Sequence, residues 1–483
     1  MLKSEVNLYE HQKTARDFAL NNDGNSALFM EVGTGKTLTS LSIFSELRKS
    51  NLKLKMFVFC PISLIEGAWA EDIKKFTRFS YWNIRKKTKR NSLKEFADIW
   101  IINYEFLISE KNMRWMYCVL QNHPFIAALD ESSKIKNHSS KTTKNMLKLR
   151  NLFKHRIVLS GTPAPNNETE YWGQVTFVKD RVFHPNFYAF RNTYFHLQRG
   201  NQIGVPQSLL NKGGLGEAFR KGFSYEITNS NRERLLQRMK PICHFVKKDE
   251  CLDLPEQVDE IRYVEMSDAQ AKCYREMKRH CVTEIEDEVK SKNFDINDIS
   301  NPIVAMIALT KMLKLRQITS GFAYAENGEA KELKTNPKFN DLMQFIDQIG
   351  NEQLIIWCHF KPEITKIKNA LKEKARCLYG EVKHADRDDN IQGFKNGDFQ
   401  FLIAHPRSAA HGLTFVNCHL QYFFSLDYSN EEHQQCRGRT HRPGQNKKCT
   451  YVYSICENSI DKSILDVLKN KKKKEDIAKG FLS

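Results

Sequence analysis

The chain has 483 residues, of which 41% are hydrophobic and 27% are charged. This length is enough for about two to four domains, and the composition excludes a largely disordered or fibrous chain. Lys and Arg outnumber Asp and Glu by 75 to 57, so the net charge of +18 favours a polyanionic partner such as nucleic acid.

Short apolar runs alternate with stretches of helical periodicity along the first part of the chain. Uninterrupted apolar runs of this kind are typical of parallel strands buried on both faces, and their alternation with helices is typical of α/β proteins. The runs lie at residues 26–30, 56–60, 99–102, 125–129 and 157–159.

The pattern changes after Tyr171, where strand signals become scarce through Met312 and long polar helices dominate, such as residues 268–292. The alternation resumes at Lys338, with apolar runs at 354–357, 399–404 and 421–425. The sequence therefore predicts an α/β fold class, with two parallel-sheet halves separated by a helical insertion.

Residues 33–37, Gly-Thr-Gly-Lys-Thr, lie between an apolar run and a helix pattern. Small residues in such a loop let backbone N–H groups wrap phosphates at a helix N-terminus. Lys36 can reach the β- and γ-phosphates, and Thr37 can bind Mg²⁺. Met30 stands where the strict pattern has glycine, so the loop has the relaxed form. The alternative is an ordinary strand-to-helix turn.

Asp130 and Glu131 follow the apolar run at 125–129, which predicts that both side chains emerge at the carboxyl edge of the sheet. There Asp130 can hold Mg²⁺, and Glu131 can orient and deprotonate the water that attacks the γ-phosphate. Alone, the pair is more typical of a helix cap. Together with the phosphate loop it predicts an ATPase.

A third polar cluster lies far downstream, at residues 435–445, where Gly438 and Gly444 interrupt a basic stretch. Arg439 and Arg442 on a second lobe can reach the γ-phosphate across a cleft as arginine fingers. The alternative is a plain nucleic-acid-binding patch.

These motifs, in this order, resemble the superfamily 2 helicase-like ATPases, specifically the sucrose-nonfermenting (Snf) type of DNA translocases and chromatin remodellers. The pattern Gln-x-x-x-Arg-x-x-Arg-x-Gly-Gln that ends at Gln445 is the most diagnostic. Because the motifs begin at Leu8 and end at Gln445, we expect a compact form without accessory domains, similar to proteins of bacteriophages and prophages. The matching segments are residues 8–12, 33–37, 59–64, 130–133, 159–163 with Asn166, Asn167 and Trp172, 315–317, 409–413 and 435–445.

The resemblance implies two RecA-like lobes, with ATP and Mg²⁺ between them and nucleic acid running across both. It assigns nucleotide binding to His11, Gln12, Gly33, Thr34, Gly35, Lys36 and Thr37, metal binding to Thr37 and Asp130, and catalysis to Lys36, Glu131, Gln435, Arg439 and Arg442. It assigns nucleic-acid contacts to Pro61, Ser63, Asn103, Tyr104, His359, His411 and Gly412.

We expect lobe 1, which binds ATP, to span residues 1–178 and a helical insertion with protrusions to span 179–335. Lobe 2 is then expected at 336–457, and a C-terminal helix that packs back on the lobes at 458–483.

Ser133 departs from the family, which commonly has histidine at this place. The position is expected to couple the nucleotide state to residues 160–162, so coupling, rather than hydrolysis, is in question.

Two basic runs, 85–90 and 471–474, are open to interpretation as DNA contacts, nuclear localisation signals or solvated lysines.

The predicted function is an ATP-dependent double-stranded DNA translocase, a DNA-dependent ATPase that moves on or remodels DNA, including forked or branched DNA. Tracking the phosphate backbone needs no base readout, so little sequence preference is expected. One alternative is a helicase that separates or branch-migrates DNA or RNA strands. An alternative of another class is a nucleotide-controlled DNA-binding clamp with weak ATPase activity.

We expect no membrane partner, because no apolar run approaches the roughly 18 residues that a membrane helix needs. We also expect a monomer. The 12 cysteines include no C-x-x-C pair and are interpreted as reduced. A cytoplasmic, nucleoid-associated location is expected for a phage or bacterial protein, and a nuclear location stays open.

Overall fold

The computed structural model describes residues 1–86, 96–199, 223–291, 302–324, 329–333, 335–409 and 413–470. Its strands are β1 (Asn25–Met30), β2 (Lys55–Phe59), β3 (Tyr81–Asn83), β4 (Ile99–Ile102), β5 (Phe125–Asp130), β6 (His155–Leu159), β7 (Phe195–Arg199), β8 (Phe223–Ile227), β9 (Cys243–Val246), β10 (Gln257–Val264), β11 (Phe322–Tyr324), β12 (Ala330–Glu332), β13 (Leu354–Trp357), β14 (Ala375–Leu378), β15 (Phe401–Ala404), β16 (Leu420–Phe423) and β17 (Cys449–Cys456).

The α-helices are α1 (Glu10–Asn21), α2 (Lys36–Ser50), α3 (Ile62–Leu64), α4 (Glu71–Phe76), α5 (Glu110–Asn122), α6 (Lys141–Leu149), α7 (Tyr171–Val178), α8 (Phe187–Tyr194), α9 (Asn229–Met239), α10 (Lys248–Cys251), α11 (Asp268–Ser291), α12 (Pro302–Thr319), α13 (Pro337–Ile349), α14 (Lys361–Leu371), α15 (His384–Asn396), α16 (Pro406–Ala409) and α17 (Asn430–Arg437). Residues 460–470 are also helical, and a π-helical turn at Ile65–Ala70 joins α3 to α4.

Two parallel sheets organise the molecule. The first has seven strands in the order β3-β4-β2-β5-β6-β1-β9, and the second has six in the order β10-β17-β16-β13-β15-β14. The predicted α/β fold class with two parallel-sheet lobes is therefore confirmed. Two small antiparallel pairs, β7-β8 and β11-β12, stand apart from these sheets.

Both faces of each parallel sheet are covered, because the connections between parallel strands cross over its faces. In β1, Ala27 and Phe29 face one apolar core, whereas Leu28 and Met30 face another on the opposite side of the sheet. In β13 of the second sheet, alternate residues divide between two further cores in the same way. Burial on both faces explains why these strands are continuous apolar runs in the sequence.

The segment predicted as a helical insertion, 179–335, contributes to both sheets. Strand β9 pairs with β1 at the edge of the first sheet, and β10 pairs with β17 at the edge of the second. The chain thus crosses between the lobes at residues 247–256. The prediction missed β9 because it has only four residues, and β10 because its polar positions suit an edge strand rather than a buried one.

The helical residues 460–470 pack on lobe 2, where Ile464 and Leu468 join its apolar core. The predicted remainder of this helix, and the basic run at 471–474, lie outside the described residues, as does most of the run at 85–90. Among the described helices, none is long and apolar enough to cross a membrane.

A buried ion pair fixes the C-terminal helix to lobe 2. Lys338 Nζ lies 2.5 Å from Asp461 Oδ2, and the two residues are 1% and 3% exposed. The carboxylate also accepts hydrogen bonds from Thr319 Oγ1 and from the backbone N–H of Cys456. Burial opposes the charged form of Lys338, but Asp461 holds the pKa of this lysine above its usual value.

Asp461→Asn should destabilise lobe 2, because it leaves the Lys338 ammonium buried without a counter-ion. Loss of one partner of a buried pair costs about 3–5 kcal/mol, which lowers Tm by roughly 6 °C or more for a unit of this size. Thermal unfolding followed by circular dichroism measures the change. Asp466→Asn, at an exposed position of the same helix, is the matched control; equal Tm values for the two variants would contradict the prediction.

Candidate active site

The loop between β1 and α2 has the backbone that a phosphate-binding loop requires. Gly33 and Gly35 have φ angles of 96° and 84°, in the left-handed region that favours glycine. A Cβ atom on Gly35 would collide with Gln12 Nε2. Lys36 begins α2, and its Nζ lies 3.3 Å from Met30 O, so the ammonium reaches back across the loop.

Two of the residues assigned to nucleotide binding, His11 and Gln12, lie against the same loop. The carbonyl oxygen of Thr34 accepts a hydrogen bond from Gln12 Nε2 at 3.1 Å and one from His11 Nε2 at 2.9 Å. The His11 ring stacks on Tyr9, with ring centroids 5.8 Å apart. Both predicted residues therefore contact the loop although they lie more than 20 positions upstream.

The acidic pair ends β5 in the centre of the first sheet. Asp130 Oδ2 accepts a hydrogen bond from Trp69 Nε1 at 2.8 Å, and Oδ1 accepts one from the backbone N–H of Glu131 at 3.0 Å. Burial raises the pKa of both carboxyl groups, to about 7 for Glu131, while the nearby Lys36 ammonium opposes the shift. The structure thus brings the loop and the acids together, as predicted.

A further carboxylate, Asp72 of α4, joins this group. It is bonded to the Thr37 hydroxyl, and burial raises its pKa to about 6 even though Lys75 and Arg442 lower it. Carboxylate and hydroxyl oxygens are the donors that Mg²⁺ prefers. Thr37 and Asp72 therefore offer oxygen ligands of the kind that a hard divalent cation takes, beside the phosphate loop.

Two arginines of lobe 2 lie in the cleft opposite this group. Arg439 donates to Gln435 O at 2.8 Å and to Leu413 O at 2.7 Å. Arg442 donates to Gly438 O at 2.6 Å and to Thr414 Oγ1 at 2.5 Å. Among the described residues, these bonds within lobe 2 fix both guanidinium groups, and none of them is to a carboxylate.

Arg442 reaches the first lobe. Its Cγ atom lies 3.2 Å from where a Cβ atom on Gly33 would stand, so its side chain lies against the phosphate loop. Burial lowers the pKa of Arg442 to about 10 and that of Arg439 well below its usual value, while Glu131 of lobe 1 raises both. The two lobes therefore face each other with opposite buried charges.

The buried amide of Gln435 is available to bind a polar group. The residue is 1% exposed, and neither polar atom of its amide has a hydrogen-bond partner among the described residues. A buried amide without partners is costly, so this one is expected to be completed by water or a bound group. The position beside Arg439 fits a group held between the lobes.

Ser133, the departure from the family pattern, has a partner on lobe 2. Its Oγ donates to Glu431 Oε1 at 2.8 Å. Lys136 Nζ lies 3.6 Å from Glu431 Oε2 and 3.8 Å from Glu170 Oε1. A polar bridge therefore joins the acidic segment of lobe 1 directly to α17, which leads into the arginine motif.

Four residues near the candidate site are not predicted from the sequence: Trp69, Asp72, Lys248 and Glu431. Trp69 and Asp72 follow the motif at 59–64 so closely that the segment could have been extended to include them. Glu431 lies four positions before Gln435, which places both on one face of α17. Nothing in the sequence marks Lys248.

The predicted nucleic-acid contacts divide into three groups. Pro61, Ser63 and His359 are partly exposed at or just beyond the carboxyl ends of β2 and β13. Tyr104 is not available for such a contact, because it is 2% exposed and its hydroxyl donates to Asp130 O at 2.9 Å; Asn103 is also buried, with its amide bonded to Glu105. His411 and Gly412 lie outside the described residues.

Comparison with known families identifies the two halves of the chain. A family described as "SNF2-related domain" matches residues 11–320, which is more than half of the chain. The chain belongs to this family. A second family, "Helicase conserved C-terminal domain", matches residues 337–444. The predicted Snf-type resemblance is confirmed.

Several curated proteins are similar to this SNF2-related chain. Chromatin structure-remodeling complex subunit snf21 of Schizosaccharomyces pombe is 24% identical, over 92% of this chain and 37% of the relative. Putative protein p41 of Acyrthosiphon pisum secondary endosymbiont phage 1 is 21% identical, over 94% of both chains. An uncharacterized ATP-dependent helicase of Mycoplasma genitalium is 22% identical, over 93% of this chain and 40% of the relative. The chain thus spans well under half the length of the yeast and mycoplasma relatives.

Among solved structures, the Sulfolobus solfataricus SWI2/SNF2 ATPase core in complex with dsDNA matches with a TM-score of 0.43 and 22% identity. The match covers 99% of this chain and 94% of that one.

A zero-length carbodiimide cross-linker should join Lys136 to Glu431, because this reagent forms an amide only between an amine and a carboxylate in contact, and the two groups lie 3.6 Å apart. Mass spectrometry of the digested protein identifies the linked peptides. Lys136→Arg keeps the charge but should abolish the link, whereas Lys134→Arg should leave it intact. A Lys136–Glu170 link without the Lys136–Glu431 link would show that the lobes do not meet in this way.

Proposed function

We propose that the chain is an ATP-dependent double-stranded DNA translocase that couples ATP hydrolysis to movement on DNA or to its remodelling. The observation that carries the proposal is the position of Arg442 of lobe 2 against the phosphate loop of lobe 1, with Glu131 within its electrostatic reach. This arrangement is suited to phosphoryl transfer, in which positioned cations stabilise the transition state.

In this proposal Lys36 binds the β- and γ-phosphates, while Thr37 and Asp130 hold Mg²⁺. The metal would neutralise charge on the phosphates. Trp69 orients the Asp130 carboxylate through its indole N–H. Asp72 accepts a hydrogen bond from the Thr37 hydroxyl and so orients it.

Glu131 is the proposed general base. A base works best when its pKa lies near the working pH, and burial raises that of Glu131 to about 7. Glu131 then holds the attacking water and accepts its proton. The unpartnered amide of Gln435 can bind the same water or a γ-phosphate oxygen from the opposite lobe.

Arg439 and Arg442 act as fingers in this scheme. Their guanidinium groups are already fixed by backbone carbonyl groups of lobe 2, so little order has to be gained when charge develops on the phosphate. Gln12 and His11, which contact Thr34, are the proposed partners of adenine.

Duplex DNA is the proposed track, supported by the net charge of +18 and by the family of the chain. The phosphate backbone offers a polyanion that a basic protein binds without reading bases. Pro61, Ser63 and His359, which are partly exposed at strand ends, remain the proposed contacts; the contribution of His411 and Gly412 is a prediction from the sequence alone.

ATP turnover should rise with duplex DNA more than with single-stranded DNA or RNA, and duplex affinity should fall steeply with salt while varying little with sequence. A steady-state ATPase assay, with binding titrations from low to moderate salt, measures both. Lys36→Ala is the control that should bind duplex but not turn over. Stronger stimulation by single strands or RNA would favour a helicase, and duplex binding with negligible turnover would favour a clamp.

Arg442→Ala should lower kcat by about a thousandfold while nucleotide affinity and duplex affinity change little, because a finger acts on charge that develops in the transition state. Arg376→Ala is the matched control and should be normal: the residue lies at the β14 edge of lobe 2, paired with Glu373 and over the Phe399 ring. Retained turnover with weakened duplex binding would instead identify residues 435–445 as a DNA patch.

A further inference from the structure

Lys248 lies where the chain leaves the first sheet. Strand β9 ends at Val246, α10 begins at Lys248, and β10 of the second sheet starts at Gln257. The side chain of Lys248 is 7% exposed, although lysine is usually among the most exposed residues. Lys248 belongs to neither the phosphate loop, residues 33–37, nor the arginine motif, residues 435–445.

The backbone of this segment is tied to the phosphate loop. The N–H of Lys248 donates to Glu31 Oε2 at 2.9 Å, and the N–H of Glu31 donates to Val246 O at 3.1 Å. Glu31 is the first residue after β1, at the start of the loop. The Cε atom of Lys248 lies 3.6 Å from where a Cβ atom on Gly33 would stand. Any shift of the loop therefore reaches Lys248 through short contacts.

The ammonium of Lys248 is bonded to the loop that carries the fingers. Its Nζ donates to His441 O at 2.6 Å and lies 3.2 Å from His441 Nδ1. His441 Nε2 lies 2.8 Å from Pro255 O, which can only accept, so Nε2 carries the proton and Nδ1 is free to accept from Lys248. His441 stands between the two finger arginines and directly precedes Arg442.

We propose that Lys248 is a positioning residue that sets the place of the Arg442 finger relative to the phosphate loop by holding His441. This inference rests on the proposed function of Arg442. One side chain then joins three parts: the loop through Glu31, the crossing between the lobes, and the finger motif. A nucleotide that orders the phosphate loop would thereby also order the finger that faces it.

The two bonds to His441 come from a charged donor, and such bonds are stronger than those between neutral groups. The contact is buried, so water does not compete for it. Loss of the ammonium should therefore leave the finger motif bonded within lobe 2 and in contact with the phosphate loop, but without the hydrogen bonds that Lys248 makes to His441. The expected consequence is a lower kcat rather than weaker nucleotide binding.

The test compares Lys248→Met with Lys247→Met. Both remove one lysine charge from adjacent positions, but Lys247 is partly exposed and pairs only with Glu250 in the same turn. Lys248→Met should lower kcat by about 10- to 30-fold and change the dissociation constant for ATP by less than about threefold. Lys247→Met should match the unmodified protein. Equal kcat values for the two folded variants would overturn the inference.

A second comparison shows whether Lys248 acts through Arg442. In an Arg442→Ala background, Lys248→Met should lower kcat by less than about twofold, because the finger that it positions is already absent. An undiminished loss in that background, or a large rise in the dissociation constant for ATP, would assign Lys248 to the nucleotide itself and overturn the proposal. If Arg442→Ala retains turnover, the finger mechanism fails first, so the two failures are distinguishable.

His441→Asn serves if Lys248→Met does not fold. Asparagine keeps the backbone carbonyl and places an oxygen near the position of Nδ1, so it retains acceptors for Lys248 while losing the bond to Pro255. It should lower kcat less than His441→Leu, which retains only the carbonyl. Equal losses in these two variants would overturn the inference, and thermal unfolding curves establish that each variant is folded.

Discussion

The candidate site depends on buried charges of opposite sign that face each other across the cleft. Asp130 and Glu131 end a central strand of lobe 1, and burial raises the pKa of both. Arg439 and Arg442 are held by carbonyl groups of lobe 2, and burial lowers the pKa of both. Desolvation disfavours the charged form of each of these groups. Lys36 of lobe 1 offsets part of this effect for the two acids, and Glu131 favours the charged form of both arginines across the cleft, so contact between the lobes stabilises these buried charges.

Much of this arrangement could be predicted from the sequence, and the reason is physical. Strands such as β5 and β13 are buried on both faces, so they appear as continuous apolar runs, and the residues that follow them must lie at the carboxyl edge of a sheet. That is why Asp130 and Glu131 were placed beside Lys36. Strand β10 escaped prediction because an edge strand with polar positions lacks the apolar run that marks its neighbours.

Contacts between the lobes could not be predicted in the same way. Ser133 and Glu431 are 298 positions apart, and no periodicity connects a serine in one lobe to a glutamate in the other. The sequence showed only that Ser133 departs from the family pattern. Tyr104 is a similar case: the family resemblance assigned it to nucleic-acid contact, but its hydroxyl is bonded to Asp130 O inside the lobe. Contacts of this kind depend on the direction of individual side chains in the folded protein, which the order of residues in the sequence does not specify.

The contacts that Lys248 and Pro255 make with His441 both belong to one segment, the crossing between the two sheets. Strand β9 completes the first sheet and β10 begins the second, and the crossing between them at residues 247–256 contacts both Glu31 at the start of the phosphate loop and His441 of the second lobe. Pro255 and Lys248, at the two ends of this crossing, both contact His441 of the finger motif. Contacts at both ends of the crossing therefore tie the position of this motif to the path of the chain between the lobes. Under the proposed function, a relative motion of the lobes would displace the two finger arginines together with the crossing.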